Sequence, residues 1–205
     1  MLNQTAGILN RLYRTPLAHT RNTCGPFGPH PQVRSHPVPP WQTGPVDSRP
    51  LAVIDIDGVV ADVRHRLPLI QDKPKRWSEF FAAAADDPPL PDGVALVLEL
   101  AADHDILWLT GRPEKNRRLT STWLAAQGLP IEPLLMRPDR DFRPARLTKR
   151  EELRTLRKGH EVAIVVDDDP DVIDMLAADG FPTRLADWLP HARTLHRAQE
   201  SDGRT

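Results

Sequence analysis

Leu51-Ala52-Val53-Ile54-Asp55-Ile56-Asp57-Gly58-Val59 is the stretch whose reading decides the fold. Four apolar residues in a row suit a short strand buried on both faces, as in a parallel sheet covered by helices. The run ends on two carboxylates two residues apart, and strand alternation sends both to one side. In an open α/β sheet that C-terminal edge is where ligands bind. Two like charges so close repel each other unless a cation holds them or chemistry uses them. An ordinary acidic turn is the competing reading, and Asp-x-Asp-Gly alone does not choose between the two.

From Leu51 onward the chain alternates strands and helices, which predicts an α/β fold with a mostly parallel sheet and helices on both faces. A helical segment is expected around Trp77–Ala85 and another over Asp92–Ala102. Ile106–Leu109 reads as the second strand. Pro113 suits the first turn of the next helix, with Gly128 as its stop. Leu134–Met136 and Val162–Val166 are the third and fourth strands. Thr148-Lys149-Arg150-Glu151 fits a capping box that opens a helix ending near Gly159. Pro170 opens another helix, closed by Gly180, and Pro182–Leu185 is a fifth, edge strand. Residues 191–205 read as a frayed end or a marginal helix.

The composition, 40% hydrophobic and 27% charged, is that of a soluble globular chain. No apolar run approaches the ~18 residues that span a bilayer, so no membrane partner is expected. The single cysteine, Cys24, excludes an internal disulfide. With no recognisable signal peptide, the expected location is cytoplasmic. Residues 1–49 hold five arginines, no lysine and one acid, Asp47, among eight prolines. Such a segment cannot bury enough surface to offset its chain entropy and reads as a disordered tail, with a short helix near Ile8–Tyr13 as an option. An Arg-bearing, acid-poor tail also suits a polyanion-binding arm or a targeting peptide; a solvated leader is the simpler reading. The folded domain is therefore expected over 50–190.

The ends of the central strands carry the chemistry. Strand one ends at Asp55 with Asp57 beyond it, strand two at Thr110-Gly111-Arg112, and strand four at Asp167-Asp168-Asp169. The expected helix after strand three opens at Thr148-Lys149. In a parallel sheet these ends share one edge, so four distant segments converge on one crevice. Asp55, Asp57 and Asp167 offer the hard oxygen ligands that suit Mg²⁺. Thr110 offers a hydroxyl and Gly111 an unobstructed amide. Lys149 at a helix N-terminus would favour an anion. A cation, a lysine and N–H donors around carboxylates describe a phosphoryl-transfer site. Taken singly, each piece has a plainer reading: Asp169 as a helix N-cap, Thr110-Gly111 as a turn, Lys149 as a surface lysine.

The ordered set Asp55-x-Asp57-Gly58-Val59, Thr110-Gly111-Arg112, Lys149, Asp167-Asp168 resembles the four motifs of the haloacid-dehalogenase-type (HAD) phosphohydrolases, over about residues 51–188. The resemblance implies a Rossmann-like three-layer sandwich and Mg²⁺ dependence. It implies Asp55 as the nucleophile that forms an aspartyl phosphate and Asp57 as the general acid, then base. Thr110, Gly111 and Lys149 would bind the phosphoryl oxygens. Asp167 and Asp168, with Asp55 and the Asp57 carbonyl, would hold the metal.

Selectivity in HAD enzymes usually comes from cap insertions, and here only about residues 61–90 are available, a small helical cap. A nearly open site suits a large substrate. Residues 137–150 carry Arg137, Arg140, Arg143, Arg146, Lys149 and Arg150, and residues 62–76 carry Arg64, Arg66, Lys73, Lys75 and Arg76. Such stretches attract polyanions, or are simply solvated loops. Val166–Met175, with Thr110-Gly111-Arg112 and Thr148–Glu152, is similar to the phosphatase domain of phage-type polynucleotide kinase–phosphatases. That resemblance implies 3′-phosphate ends of nucleic acid as substrate, with Arg66 and Arg112 on the phosphate. The chain departs from the pattern at Ala145, where the acidic residue one turn before the lysine is missing. No Gly-x-x-x-x-Gly-Lys-Ser/Thr loop occurs in the sequence, so no kinase half is expected within it. The expected function is a Mg²⁺-dependent phosphomonoesterase; a nucleotidase or other small-molecule phosphatase, and a non-catalytic HAD-fold binding module, are the alternatives. Phosphorylated substrates, nucleic-acid ends or nucleotides, are the expected partners, with no obligate protein partner evident. Trp77, Trp108, Trp123 and Trp188 read as packing residues rather than base-stacking platforms.

Overall fold

The computed structural model describes residues 49–190 and 192–202. The expectations for residues 1–48, the disordered tail and the helix near Ile8–Tyr13, lie outside the described residues. Five strands form one all-parallel sheet: β1 (Leu51–Ile54), β2 (Asp105–Pro113), β3 (Leu134–Arg137), β4 (Val162–Asp167) and β5 (Thr183–Leu185). Their order is β3-β2-β1-β4-β5. The helices are α1 (Pro68–Gln71), α2 (Trp77–Ala82), α3 (Pro91–Leu100), α4 (Arg117–Ala126), α5 (Ala145–Leu156), α6 (Pro170–Ala178) and α7 (Arg193–Asp202).

The sequence of β1 shows why the sheet is buried on both faces. Ala52 and Ile54 pack with Leu96 and Val97 of α3 and Trp123 and Leu124 of α4. Leu51 and Val53 point the other way, to Leu153 of α5 and Val172 and Leu176 of α6. The result is the α/β, Rossmann-like three-layer sandwich that the strand pattern predicts. The chain winds from β1 to β2 and β3 on one side, then returns to β4 and β5 on the other. The switch point therefore lies at the C-terminal ends of β1 and β4.

The segment between β1 and α3 builds a small core of its own. Val63, Ile70, Phe80 and Phe81 are buried together with Leu195 and Ala198 of α7. Residues 191–205, read as a frayed end or a marginal helix, thus contribute two buried side chains to this cluster. Trp108, Trp123 and Trp188 pack as expected, each with its N–H used. Trp108 donates to Pro130 O at 2.8 Å, Trp123 to Asp87 O at 2.8 Å, and Trp188 to Val59 O at 3.0 Å. Trp77 is partly buried against Phe80 and Phe81.

Two local expectations are corrected. Pro113 is not in the first turn of the next α-helix; it is the last residue of β2, which runs through Thr110-Gly111-Arg112 with irregular register, and caps a 3-10 turn over Glu114–Asn116 that leads into α4 at Arg117. The Thr148–Glu151 capping box does not form either. α5 starts a turn earlier at Ala145, after Pro144 at the N-cap, and the Thr148 hydroxyl donates back to Ala145 O at 2.9 Å. Pro144 has its φ preset near the helical value and sets the start, so the Thr/Glu pair falls inside the helix. Lys149 consequently sits in the second turn, and the helix-terminus argument for its anion affinity does not hold.

Gly93, early in α3, decides how close that helix comes to the first loop. A Cβ at this position would overlap the carbonyl of Val59. Backbone cannot yield as a flexible side chain can. Gly93→Ala is therefore expected to destabilise the protein by about 2–3 kcal/mol, the upper part of the overpacking range, measured as a lowered urea midpoint.

Candidate active site

The chain leaves β1 into a tight loop. The amides of Val59, Val60 and Ala61 all donate to Ile56 O, and Gly58 N donates to Ala61 O. Gly58 has φ +78°, and a Cβ there would overlap the carboxylate of Asp168. Glycine is required at 58 twice over, by backbone conformation and by the acidic turn that lies against it. This loop brings the end of β1 to the end of β4.

At that meeting point Lys149 is the central cation. It is buried, and its Nζ lies 2.9 Å from Asp55 Oδ2 and 2.6 Å from Asp167 Oδ2. Burial alone would push the ammonium pKa down, but Asp167 and Asp55 raise it, so Lys149 stays charged. Asp55 is pushed up to about 7. Burial is the main cause, Lys149 opposes it, and the charges of Asp167 and Asp57 add to it. The half-buried Asp168 is raised in the same way, by burial and then by Asp167 and Asp55.

Asp57 has the opposite environment. Burial works against its charge, yet the guanidiniums of Arg112 and Arg66 hold it down to about 2. Arg112 donates to Asp57 Oδ1 from Nε (2.9 Å) and Nη2 (2.6 Å), and Arg66 from Nη2 (2.8 Å). Three donors therefore converge on one oxygen of Asp57. Both arginines are fully buried and committed to carboxylates.

What holds the two arginines is Asp87, just beyond the helical segment expected around Trp77–Ala85. Its carboxylate lies 2.8 Å from Arg66 Nε, 2.9 Å from Arg66 Nη2, 2.7 Å from Arg112 Nη2 and 2.8 Å from His65 Nε2. Asp86 beside it is exposed. Local sequence does not distinguish the two; the only hint is that a carboxylate must balance two arginines otherwise left with Asp57 alone.

Of the remaining residues, Thr110 is buried at the end of β2, and its Oγ1 accepts from Arg112 N at 3.3 Å. Gly111 is buried beside it. Asp55, Asp167 and Asp168 each offer a ligand atom, all within 4.8 Å of one another. Among the described residues, Asp55 Oδ1, Asp57 Oδ2, Arg66 Nη1 and Arg112 Nη1 are buried without a hydrogen-bond partner. Buried orphans of this kind call for a ligand or ion. An all-oxygen set with an unused buried carboxylate oxygen fits a hard divalent cation such as Mg²⁺.

An α/β sandwich with this arrangement at its switch point is a HAD-type phosphatase domain. Residues 50–184 match the family of the polynucleotide kinase PNKP phosphatase domain, and the chain belongs to that family. Among solved structures it is similar to a chain of the Pnkp1/Rnl/Hen1 RNA repair complex, with a TM-score of 0.55 and 20% identity over 67% of this chain and 42% of that one. A second structure of the Pnkp1/Rnl/Hen1 complex gives 0.56 and 22% over 67% and 45%. The class C acid phosphatase from Bacillus anthracis with tungstate bound gives 0.51 and 18% over 71% and 68%. At these identities the likeness is one of fold. The chain spans less than half the length of the repair-complex chains it matches. No curated protein matches it. No helix among the described residues is long and apolar enough to cross a membrane.

The Asp55 environment makes a stability prediction. Its folded pKa of about 7 exceeds the ordinary value of 3.8. Between those values the folded state binds more protons than the unfolded one, so metal-free stability falls as pH rises through that window. Asp55→Asn is expected to raise the metal-free melting temperature near pH 8 by ~2–4 °C, the shift that about 1 kcal/mol produces in a protein of this size. Wild type is expected to melt higher with a divalent cation such as Mg²⁺ than with EDTA, and the same variant to lose that difference; thermal melts with Mg²⁺ or EDTA check both.

Proposed function

We propose that this protein is a Mg²⁺-dependent phosphomonoesterase that works through an aspartyl phosphate on Asp55. The observation that carries the reading is the divided use of the site's carboxylates. Asp55 has one oxygen on Lys149 and the other unpaired, and Asp57 has one oxygen on two arginines and the other unpaired. Such a pair, each carboxylate fixed through one oxygen and open at the other, suits a nucleophile next to an acid–base group.

In the proposed reaction the Asp55 carboxylate attacks phosphorus as the bond to the leaving oxygen breaks. Asp57 gives its proton from Oδ2 to that oxygen. In the second half Asp57 takes a proton from water, the water oxygen attacks phosphorus, and the Asp55–phosphorus bond breaks. Lys149 and the Thr110-Gly111 turn hold the phosphoryl oxygens, where fixed positive charge and donors lower the barrier. Asp57 is a carboxylate in the ligand-free protein, so it must gain its proton as substrate binds. A phosphate dianion near Arg66 Nη1 and Arg112 Nη1 offsets the guanidiniums and supports that change. Asp55, Asp167, Asp168 and the Asp57 carbonyl would hold Mg²⁺, which when bound offsets the repulsion between carboxylate and phosphate.

Family membership and the compact 61–90 segment favour 3′-phosphate ends of nucleic acid as the substrate. Phosphate release from a 3′-phosphorylated oligonucleotide, 3′- and 5′-mononucleotides and an aryl phosphate, with Mg²⁺ or EDTA, tests the proposal. The expected outcome is Mg²⁺-dependent release with preference for the oligonucleotide. A preference for mononucleotides would make it a nucleotidase. Silence on every substrate from folded protein would make it a binding module. Asp55→Asn is expected to abolish turnover on all substrates, and Lys149→Ala to lower kcat by about 100- to 1,000-fold. Full activity in Asp55→Asn would end the covalent mechanism.

A further inference from the structure

Helix α7 lies beyond the segment that the family matches, yet it is tied to three parts of the domain. Leu195 and Ala198 complete the small core with Val63, Ile70, Phe80 and Phe81. Glu200 accepts from Arg146 Nε of α5 at 2.8 Å. His196 faces the acidic turn after β4, with Nδ1 2.7 Å from Asp169 Oδ2 and Nε2 3.2 Å from Asp171 Oδ2.

That turn presents Asp167 and Asp168. Asp169 is buried at the N-cap of α6, where its Oδ1 accepts from Asp171 N at 2.9 Å. Its own amide donates to Asp167 Oδ1 at 3.1 Å. Asp167 Oδ2 in turn meets Lys149, and Lys149 meets Asp55. One unbroken chain of contacts thus runs from a C-terminal helix to the carboxylate at the end of β1. Four aspartates within five residues repel one another, and Asp169 is buried among them. An imidazole with a ring nitrogen toward each of two carboxylates is suited to hold such a turn closed, since in its charged form both nitrogens donate.

We propose that His196 is a positioning residue for the cation site, acting through Asp169 to fix the turn that presents Asp167 and Asp168. The proposal rests on the reading of those two aspartates as cation ligands. Residues one step removed from a metal's ligands commonly change its affinity by about 10–100-fold when removed. The helix thereby makes metal affinity depend on residues outside the matched family segment.

The test is a calorimetric Mg²⁺ titration of the full chain, with aryl phosphate turnover measured in parallel. His196→Ala is expected to weaken Mg²⁺ binding about tenfold, with KM for the aryl phosphate at saturating Mg²⁺ unchanged. Asp169→Asn, which keeps an N-cap oxygen, is expected to show the same loss. The double variant is expected to lose no more than either single one, because both break one link. Arg197→Ala, on the exposed face of the same helix, serves as the control and is expected to bind Mg²⁺ like wild type. Unchanged affinity in folded His196→Ala, or additive losses in the double variant, would overturn the proposal. So would a second bound cation that disappears with His196, which would make Asp169, Asp171 and His196 ligands themselves. If His196→Ala does not fold, His196→Gln and Asp169→Asn decide by the same titration. Wild type that binds Mg²⁺ but turns over no phosphate ester would sink the hydrolase reading alone, and the calorimetric comparison would still decide the role of His196.

Discussion

The ammonium of Lys149, wedged between Asp55 and Asp167, is the contact on which the rest of this site depends. Two strands, β1 and β4, end on carboxylates that burial and mutual repulsion would drive apart or protonate. A single buried cation lets both ends stay side by side at the switch point of the sheet. It balances only part of the local charge, because Asp168 lies against the same place, and the like charges beyond it raise Asp55 and Asp168. The fold thus maintains an electrostatic deficit that a divalent cation would relieve.

A second balance stands beside the first. Arg66 comes from the segment after β1 and Arg112 from the end of β2, and both converge on Asp57 and Asp87. Two cations and two carboxylates, all buried, form a nearly neutral cluster. A buried pair of this kind is costly to break by removing one partner. It therefore locks the 61–90 segment to the sheet and fixes which oxygen of Asp57 is available. The two clusters give neighbouring aspartates opposite environments, one short of positive charge and one rich in it.

The strand reading was legible because buried parallel strands leave continuous apolar runs, as in Leu51–Ile54 and Val162–Val166. Helix starts were less so. Thr148-Lys149-Arg150-Glu151 has the form of a capping box, but Pro144 opens α5 earlier, and the local pattern carries no record of that competition. Asp87 was illegible for a different reason. Its neighbour Asp86 has the same side chain and the same surroundings in sequence, and only the chain's path decides which of them is buried. α7 reads as marginal because its sequence is mostly polar, while Leu195 and Ala198 find their partners about 115 to 135 residues away.

The order of motifs in the sequence determined the sheet edge, the acidic ends of β1 and β4 and the class of chemistry, because those depend on short apolar runs and the residues that end them. Tertiary structure alone decided the pairings: Lys149 with Asp55 and Asp167, Arg66 and Arg112 with Asp87, His196 with Asp169. The reason is physical. Strand formation follows local patterns of side chains, whereas the cost of a buried charge is set by whichever distant residue folds against it.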